Sequence, residues 1–454
     1  MIRALAASLT LLAIQAATAF GAAGGGSSGF GGGGGGGGGG GSGFGGGGAG
    51  SGGGGTLSGT GVVIILGGVA AIFAFGAVQE RRKATWSRAY AKGRDAITAS
   101  RRRARRERIE GTALVAAEDD PAFASELVRA EADALFRSVQ DAWDRDDRAA
   151  LAAMVAPDLL REWSLRLADF AAKGWHNHVA VRESAVEYVG ITNRMDDSDD
   201  RVVVRVAAEL DDYVTDRDGT RINHSGNTTG VSSLREYWTL GKREGRWTLL
   251  SIEQDEEGEY QLDAPMEADP ADDARLTDTA RVEAAVADAL PAGTLPSEVD
   301  DDDAVTALAK ARDLSLADGR YDPDIIEAAV RRGVAAWAEA VDGDDTAFAH
   351  LAQPALLEEL LYPPSPGRSL RLVVRSPVVT SVTLVRLDTD ASPPTATVRM
   401  GLEGVRYVED RNTLATVAGS RTGSSRFDGT WTLALDGPPD APWRICAVRD
   451  DLPG

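Results

Sequence analysis

Apolar residues recur with two different periods in each half of the chain after residue 119. The first period is helical, because apolar side chains return every three or four residues and can face one core. These residues are Val128, Ala132, Leu135, Phe136, Val139, Ala142 and Trp143, then Ile326, Val330, Val334, Trp337 and Val341. The second period is two, as in a half-buried strand, at Val202, Val204, Val206, Ala208 and Leu210. Helices followed by antiparallel strands predict an α+β fold, with helices packed on one face of a curved sheet.

Shorter patterns complete this prediction. The apolar segments 234–240 and 247–252 flank a polar stretch and predict a β-hairpin. Pro157 and Pro354 lie inside apolar segments, where we expect each proline to end one helix and begin the next. Asp120-Pro121 and Asp322-Pro323 are typical of helix starts, because the aspartate accepts a main-chain hydrogen bond and proline suits the first turn.

The two halves repeat one another. Residues 204–218 read VRVAAELDDYVTDRD and residues 398–412 read VRMGLEGVRYVEDRN, with a shift of 194 residues and no gap. We therefore predict a first repeat at 119–262 and a second repeat at 310–454, each long enough to bury its own core. Residues 263–309 are rich in Pro, Ala and acidic side chains. They are predicted as an acidic linker with one short helix near residues 278–289.

The first 79 residues predict a membrane anchor. Residues 1–19 combine an arginine, an apolar run and a small-x-small ending, as in a secretory signal peptide whose cleavage stays open. Residues 20–60 are predicted to be disordered, since 26 glycines lie between Gly21 and Gly55. Residues 61–79 are predicted as a transmembrane helix, because the apolar run 61–78 reaches roughly 27 Å as a helix. A buried core helix is disfavoured by the Gly-rich and basic flanks.

A basic segment, residues 80–118, is predicted as a juxtamembrane helix. Residues 81–108 contain twelve Lys or Arg against two acids, whereas the whole chain carries a net charge of −21. Positive charge beside a span predicts a single-pass cell-membrane protein with both repeats cytoplasmic and the Gly-rich part outside. The acidic body would repel nucleic acid, so the expected partner of the segment is anionic phospholipid. The residues assigned to lipid binding are Arg81, Arg82, Lys83, Arg101, Arg102, Arg103, Arg105 and Arg106.

The sequence predicts no catalytic site, metal or cofactor. The candidate acids and bases are Asp211, Asp212, Tyr213, His224, Glu236 and Tyr237, and their spacing defines no arrangement. His176 and His178 could face the same way on an extended chain, but zinc usually takes three or four protein ligands. We therefore predict solvated histidines. The lone Cys446 excludes an intrachain disulfide, which agrees with a reducing cytoplasm.

The strand region resembles a known family. The segments VVVRVAAELDDYVTDRDG and LREYWTLGKREGRWTLLSIEQDEEG follow a Gly-rich tract, a predicted span and a basic helix. In this order they resemble bacterial Tim44-like proteins, whose namesake is the peripheral subunit of the mitochondrial inner-membrane translocase. The resemblance covers residues 120–260, and the second repeat is a degenerate version with Gly429-Thr430 in place of Glu236-Tyr237. It implies a cone-like fold similar to nuclear transport factor two, contact with anionic lipid and a scaffolding role.

Membrane placement and resemblance together predict a noncatalytic binding or scaffold protein that assists membrane-protein assembly or protein translocation. Its expected partners are anionic phospholipid and unidentified membrane or translocation proteins, and its oligomeric state stays open. The alternative is a small-molecule-binding or enzymatic cone domain of the isomerase or dehydratase type. An enzyme predicts a polar pocket with a perturbed carboxylate or histidine, whereas a scaffold predicts an apolar pocket or an exposed apolar patch.

Overall fold

The computed structural model describes residues 97–222, 231–287, 289, 304–341, 346–365, 369–411 and 415–450. The predicted signal peptide, Gly-rich segment and span lie outside these residues, as does the start of the basic segment. Among the residues described, none of the helices combines the length and the apolar character needed to cross a bilayer. The topology inferred from residues 61–79 therefore stays a prediction.

The first repeat begins with helices and ends with an antiparallel sheet. The helices are α1 (97–119), α2 (Ser125–Asp144), α3 (Arg148–Met154) and α4 (Pro157–Lys173). The strands are β1 (His176–Thr192), β2 (Arg201–Thr215), β3 (Arg221–Ile222), β4 (Val231–Arg243) and β5 (Arg246–Gln254). The sheet order is β1-β2-β4-β5, with β3 paired to β2. The predicted α+β class is confirmed.

The second repeat has the same order of elements. Its helices are α6 (Ala304–Ser315), α7 (Pro323–Val341), α8 (Thr346–Leu351) and α9 (Pro354–Leu361), preceded by α5 (Ala274–Ala287). Its strands are β6 (Leu370–Asp388), β7 (Thr395–Asp410), β8 (Thr416–Gly419), β9 (Ser425–Ala434) and β10 (Arg444–Asp450). The sheet order is β6-β7-β9-β10, with β8 paired to β7. The two sheets thus share one topology, as the sequence repeat predicts.

In each repeat, a proline separates the last two helices of the helical layer. α4 begins at Pro157 and α9 at Pro354, where a missing N–H removes no helical hydrogen bond. The main-chain N–H of Ala156 donates to the carbonyl of Leu249 in β5 at 2.7 Å. Gln353 makes the corresponding bond to β10 in the second repeat. These two hydrogen bonds therefore join the helical layer of each repeat to the last strand of its sheet.

The predicted hairpin is confirmed in β4 and β5. Arg243 pairs with Arg246, which leaves Glu244 and Gly245 as the two residues of the turn. Their φ angles are 49° and 74°. Positive φ at both positions is characteristic of type I′ turns, whose twist matches that of the flanking strands.

Aromatic pairs join helices to sheet at matching places in the two repeats. Each contact is edge-to-face, a geometry worth about 0.5–1.5 kcal/mol beyond the area it buries. The pairs are Phe123–Trp247 at 5.5 Å, Phe136–Trp238 at 5.3 Å, Tyr321–Trp443 at 5.9 Å and Trp337–Trp431 at 6.3 Å between ring centroids. The strand tryptophans therefore belong to the two cores.

The segment predicted as a linker contains a helix that overlaps the short helix predicted there, and this helix packs on the second repeat. α5 begins at Ala274, and its Val282 is buried in the core of the second repeat. α6 begins at Ala304, before the predicted domain boundary, and buries Ala311 and Leu314 in the same core. Alanine contributes little to an apolar pattern, which explains why the packed face of α6 was not evident in the sequence.

Candidate functional site

α1 has one face packed into the first repeat. Ile109, Ala113 and Ala116 are at most 1% exposed and belong to its core. Arg105 lies one helical turn before Ile109 and is 2% exposed. Spacings of three and four residues place all four side chains on one side of a helix. From Arg105 onward, α1 is therefore part of the domain and not a separate juxtamembrane helix.

The Arg105 guanidinium binds two main-chain carbonyls. Nε donates to Val189 of β1 at 2.5 Å, and Nη1 donates to Ala264, beyond the last strand, at 2.7 Å. Burial lowers the pKa of Arg105 to about 10, so the side chain remains a cation at neutral pH. The prediction that Arg105 binds lipid is corrected, because its head group is enclosed by protein. The sequence shows a run of arginines, and only the packing identifies the one that faces inward.

Other arginines of α1 remain accessible. The exposed ones are Arg103, Arg106 and Arg108, of which Arg106 forms an ion pair with Glu187. Arg101 and Arg102 are half-buried. The predicted lipid ligands Arg81, Arg82 and Lys83 lie outside the residues that the structure describes. Arg108 was not in the predicted set, although it belongs to the same basic segment.

Apolar side chains are also exposed on α1. Leu114 is 72% exposed and Val115 is 49% exposed. Interfacial helices also combine basic and apolar side chains, but in α1 the continuous apolar face is packed into the domain.

The carboxylates considered for catalysis do not converge. In the register of β2 and β4, Glu236 is opposite Val206, six positions along β2 from Asp212. At about 3.3 Å per residue, the two carboxylates are on the order of 20 Å apart. Asp212 accepts a hydrogen bond from Asn177 at 2.8 Å. His224 lies outside the described residues, so this pair alone gives no acid-base site.

Glu236 is a buried acid whose two oxygens are both engaged. Trp238 Nε1 donates to Oε2 at 3.0 Å, and Gln254 Nε2 donates to Oε1 at 3.1 Å. The residue is 3% exposed, and burial raises its pKa to about 7. Its neighbour Tyr237 is fully buried in a separate small cluster. Glu236 therefore serves as a polar group within the sheet and has no open path to a substrate.

A cluster of buried charged side chains joins the two repeats, and we call it the inter-repeat ion cluster. It combines three glutamates that precede residue 260 with arginines, a tyrosine and a glutamate of the second repeat. Its contacts are Arg371–Glu162 at 3.2 Å, Arg375–Glu253 at 3.5 Å, Tyr407–Glu257 at 2.5 Å and Arg421–Glu409 at 3.0 Å. Buried ion pairs are costly unless both partners are well placed, so they favour one relative arrangement of the repeats.

Desolvation also perturbs the acids of this cluster. Burial raises the pKa of Glu409 to about 8 and the pKa of Glu162 to about 7. This cluster was not predicted from the sequence, although Arg371 and Arg375 interrupt an apolar strand and so indicate a buried cation. Their partners lie more than one hundred residues away, and the sequence does not pair them.

Three aspartates of the first repeat form another acidic cluster, and the ammonium group of a lysine lies among them. Asp120, Asp197 and Asp200 lie close enough to share one ion. Lys242 Nζ is 3.0 Å from Asp197 and 3.4 Å from Asp200, and it also binds Asp120. Desolvation alone would lower the pKa of Lys242, but the hydrogen bonds to Asp120 and Asp197 outweigh it and raise the pKa. The group is an ion-pair cluster around Lys242, in which Asp200 is buried and Asp197 is largely exposed.

A small cavity opens in the first repeat between α2, α4 and β1. Its volume is about 40 Å³. Trp143, Leu167, Phe170 and Trp175 form its apolar wall, and His176 and Asn177 add polar groups. Drug-sized ligands need pockets of roughly 300–1,000 Å³. The cavity therefore has room for water but not for an organic substrate.

Comparison with known families identifies the first repeat. Residues 113–254 match the model of the Tim44-like domain. This confirms the Tim44-like assignment. The match ends before the second repeat, so the degenerate second copy stays a prediction. No curated protein matches the chain.

Two solved structures are similar to parts of this chain. The intermembrane space region of chloroplast protein ARC6 is 13% identical, with 27% of this chain and 92% of that chain covered and a TM-score of 0.23. An Ntf2 like protein involved in plasmid conjugation is 10% identical, with 68% of this chain and 92% of that chain covered and a TM-score of 0.16. TM-scores this low carry no argument about shared fold or function. The resemblance to nuclear transport factor two therefore stays an expectation.

Proposed function

We propose that this protein is a noncatalytic membrane-anchored scaffold. Its Tim44-like repeat carries a basic helix that lies against an anionic bilayer, and its body binds a partner in membrane-protein assembly or translocation. This proposal rests on one observation, which is that the arginines of α1 have two different environments. Arg105 is fixed inside the domain, whereas Arg103, Arg106 and Arg108 are exposed.

The fixed arginine gives Arg106 and Arg108 a defined position. Because Arg105 binds β1 and the segment after β5, the part of α1 that follows cannot swing freely relative to the sheet. The inter-repeat ion cluster extends this rigidity to the second repeat. A bilayer that binds α1 would therefore orient both repeats, which is what a scaffold requires.

The placement of the candidate catalytic groups also favours binding over catalysis. Asp212 and Glu236 are far apart, and the cavity beside His176 holds only about 40 Å³. The accessible aliphatic side chains of α1 instead offer a surface for a lipid or protein partner.

The lipid contribution can be given a magnitude. Each basic side chain near an anionic leaflet contributes about 1 kcal/mol at low salt. Because Arg106 already pairs with Glu187, Arg103 and Arg108 supply most of this term, about 2 kcal/mol, or roughly a 30-fold increase in membrane partitioning. The effect should fade at high salt, because the Debye length falls to about 3 Å near 1 M.

Vesicle flotation of a fragment that starts at residue 97 tests the proposal without the predicted span. We expect recovery on anionic vesicles and loss of recovery when Arg103, Arg106 and Arg108 are replaced by glutamine. A matched control replaces three exposed arginines elsewhere, Arg235, Arg399 and Arg426, by glutamine. Equal recovery of both variants, or equal recovery on neutral vesicles, would contradict the lipid-binding role of α1.

A further inference from the structure

Two imidazoles and a carboxylate meet where α2 ends and β1 begins. His176 and His178 are separated by one residue on β1, so their side chains leave the same face of the strand. Their ring centroids are 4.3 Å apart. Asp144 is the last residue of α2, and its Oδ1 lies 3.7 Å from Nδ1 of His178. One ligand atom from each of the three residues lies within 4.8 Å of the others.

We propose that Asp144, His176 and His178 bind a divalent transition-metal ion of the zinc class, with solvent in the remaining position. Imidazole and carboxylate are ligands that such ions accept, and three protein ligands plus water is a recurrent zinc arrangement. Two tetrahedral ligands at the usual metal distance are roughly 3.3 Å apart, so closing the site takes a shift of about 1 Å. The His178 side chain is 38% exposed and has room to make this shift.

Neighbouring groups orient two of the three ligands. His178 Nε2 lies 3.2 Å from Thr215 Oγ1. In the tautomer in which Nε2 donates to that hydroxyl, Nδ1 keeps its lone pair and faces Asp144. The Asp144 carboxylate is also fixed in place, because the main-chain N–H of Val179 donates to its Oδ1 at 2.8 Å. Hydrogen bonds of this kind to metal ligands fix the tautomer and the ring direction.

The surroundings suit a neutral imidazole and a water ligand. The neutral imidazole ring is the form that binds a metal ion. Arg221 lies over the ring of Tyr213, which stacks on His178, so one cation approaches the site from β3. Asp146 lines the cavity of about 40 Å³ together with His176. That cavity has room for a water molecule.

The second repeat lacks these ligands at the matching register. In the first repeat, His176 pairs with Thr215 and His178 pairs with Tyr213. In the second repeat, Arg371 pairs with Glu409 and Val373 pairs with Tyr407. An arginine and a valine therefore stand where the first repeat has two imidazoles. The proposal predicts one metal ion per chain.

Zinc titration of the full chain in detergent, monitored by calorimetry, tests this site. The protein should carry a purification tag without histidine. We expect one Zn²⁺ per chain, at least a tenfold loss of affinity in His176→Ala and His178→Ala, and a loss in Asp144→Asn. Thr215→Val should weaken binding by roughly tenfold, as expected for a positioning residue. His350→Ala is the matched control and should bind normally, because His350 pairs with Asp440 in the second repeat.

Cobalt substitution adds a readout of coordination. Bound Co²⁺ should show the visible absorption of a nitrogen- and oxygen-ligated ion, and both single histidine variants should lose it. Circular dichroism establishes that each variant is folded, and zinc should raise the unfolding temperature of the wild type but not of the double histidine variant. Absence of saturable binding, unchanged affinity in the folded histidine variants, or loss of binding in His224→Ala alone would overturn the proposal.

Discussion

Replacing Glu236 by glutamine should remove a pH dependence from the stability of the first repeat. The carboxyl group is 3% exposed, and burial raises its pKa from 4.5 to about 7. Unlike the acids of the inter-repeat ion cluster, its described partners are the neutral donors Trp238 and Gln254. Glutamine keeps the shape, because its oxygen can accept from Trp238 and its amide can donate to Gln254 once that side chain flips.

The sign and size of the effect follow from proton linkage. Below pH 4.5 the acid is protonated in both folded and unfolded states. Between pH 4.5 and about 7 the unfolded state binds fewer protons than the folded state, so stability falls as pH rises. Each pKa unit corresponds to about 1.4 kcal/mol, which gives a full penalty of about 3 kcal/mol above pH 7. About 2.5 kcal/mol of it develops between pH 5 and pH 8.

Urea unfolding at about pH 5 and pH 8 measures this change directly. Glu236→Gln should gain about 2.5 kcal/mol relative to the wild type between the two pH values. Glu209→Gln is the control, because Glu209 is exposed on β2. Equal pH profiles for the wild type and Glu236→Gln would refute the reasoning, as would a variant that is less stable than the wild type at pH 8.

Two further substitutions test the packing that fixes the scaffold. Arg371→Met leaves Glu162 buried without its cation, and breaking such a pair should cost about 3–5 kcal/mol in urea unfolding, with partial recovery when Glu162→Gln is added. If adding Glu162→Gln restores no stability to Arg371→Met, the Arg371–Glu162 pair does not join the repeats. Gly258→Ala places a Cβ 2.3 Å from the Tyr237 ring and should cost about 1–3 kcal/mol. Gly111→Ala has open space on α1 and should not destabilise, so equal effects of the two would contradict the packing argument.

The local elements of this fold could be predicted from the sequence because their causes are local. Helical spacing identified α2 and α7, and alternation identified β2. Proline at the start of α4 and α9 and the polar turn between β4 and β5 marked the boundaries. The 194-residue repeat then predicted the strand order of the second half, since similar apolar patterns favour the same sheet.

The parts that were missed depend on contacts between distant residues. Arg105 and Arg106 are adjacent and chemically identical, yet one is buried and the other is exposed. Asp144 joins His176 only because α2 ends beside the start of β1. Arg371 was visible as a charge in an apolar strand, but its partner Glu162 comes from the other repeat. No spacing rule in the sequence encodes these pairings.

The two repeats use the same structural position for different purposes. The first residues of β1 face Tyr213 and Thr215 at an accessible edge, whereas the first residues of β6 face Tyr407 and Glu409 inside the inter-repeat ion cluster. Buried charged groups require fixed partners, so in the second repeat this position serves to hold the two repeats together. The open version in the first repeat is therefore the one available to bind a ligand.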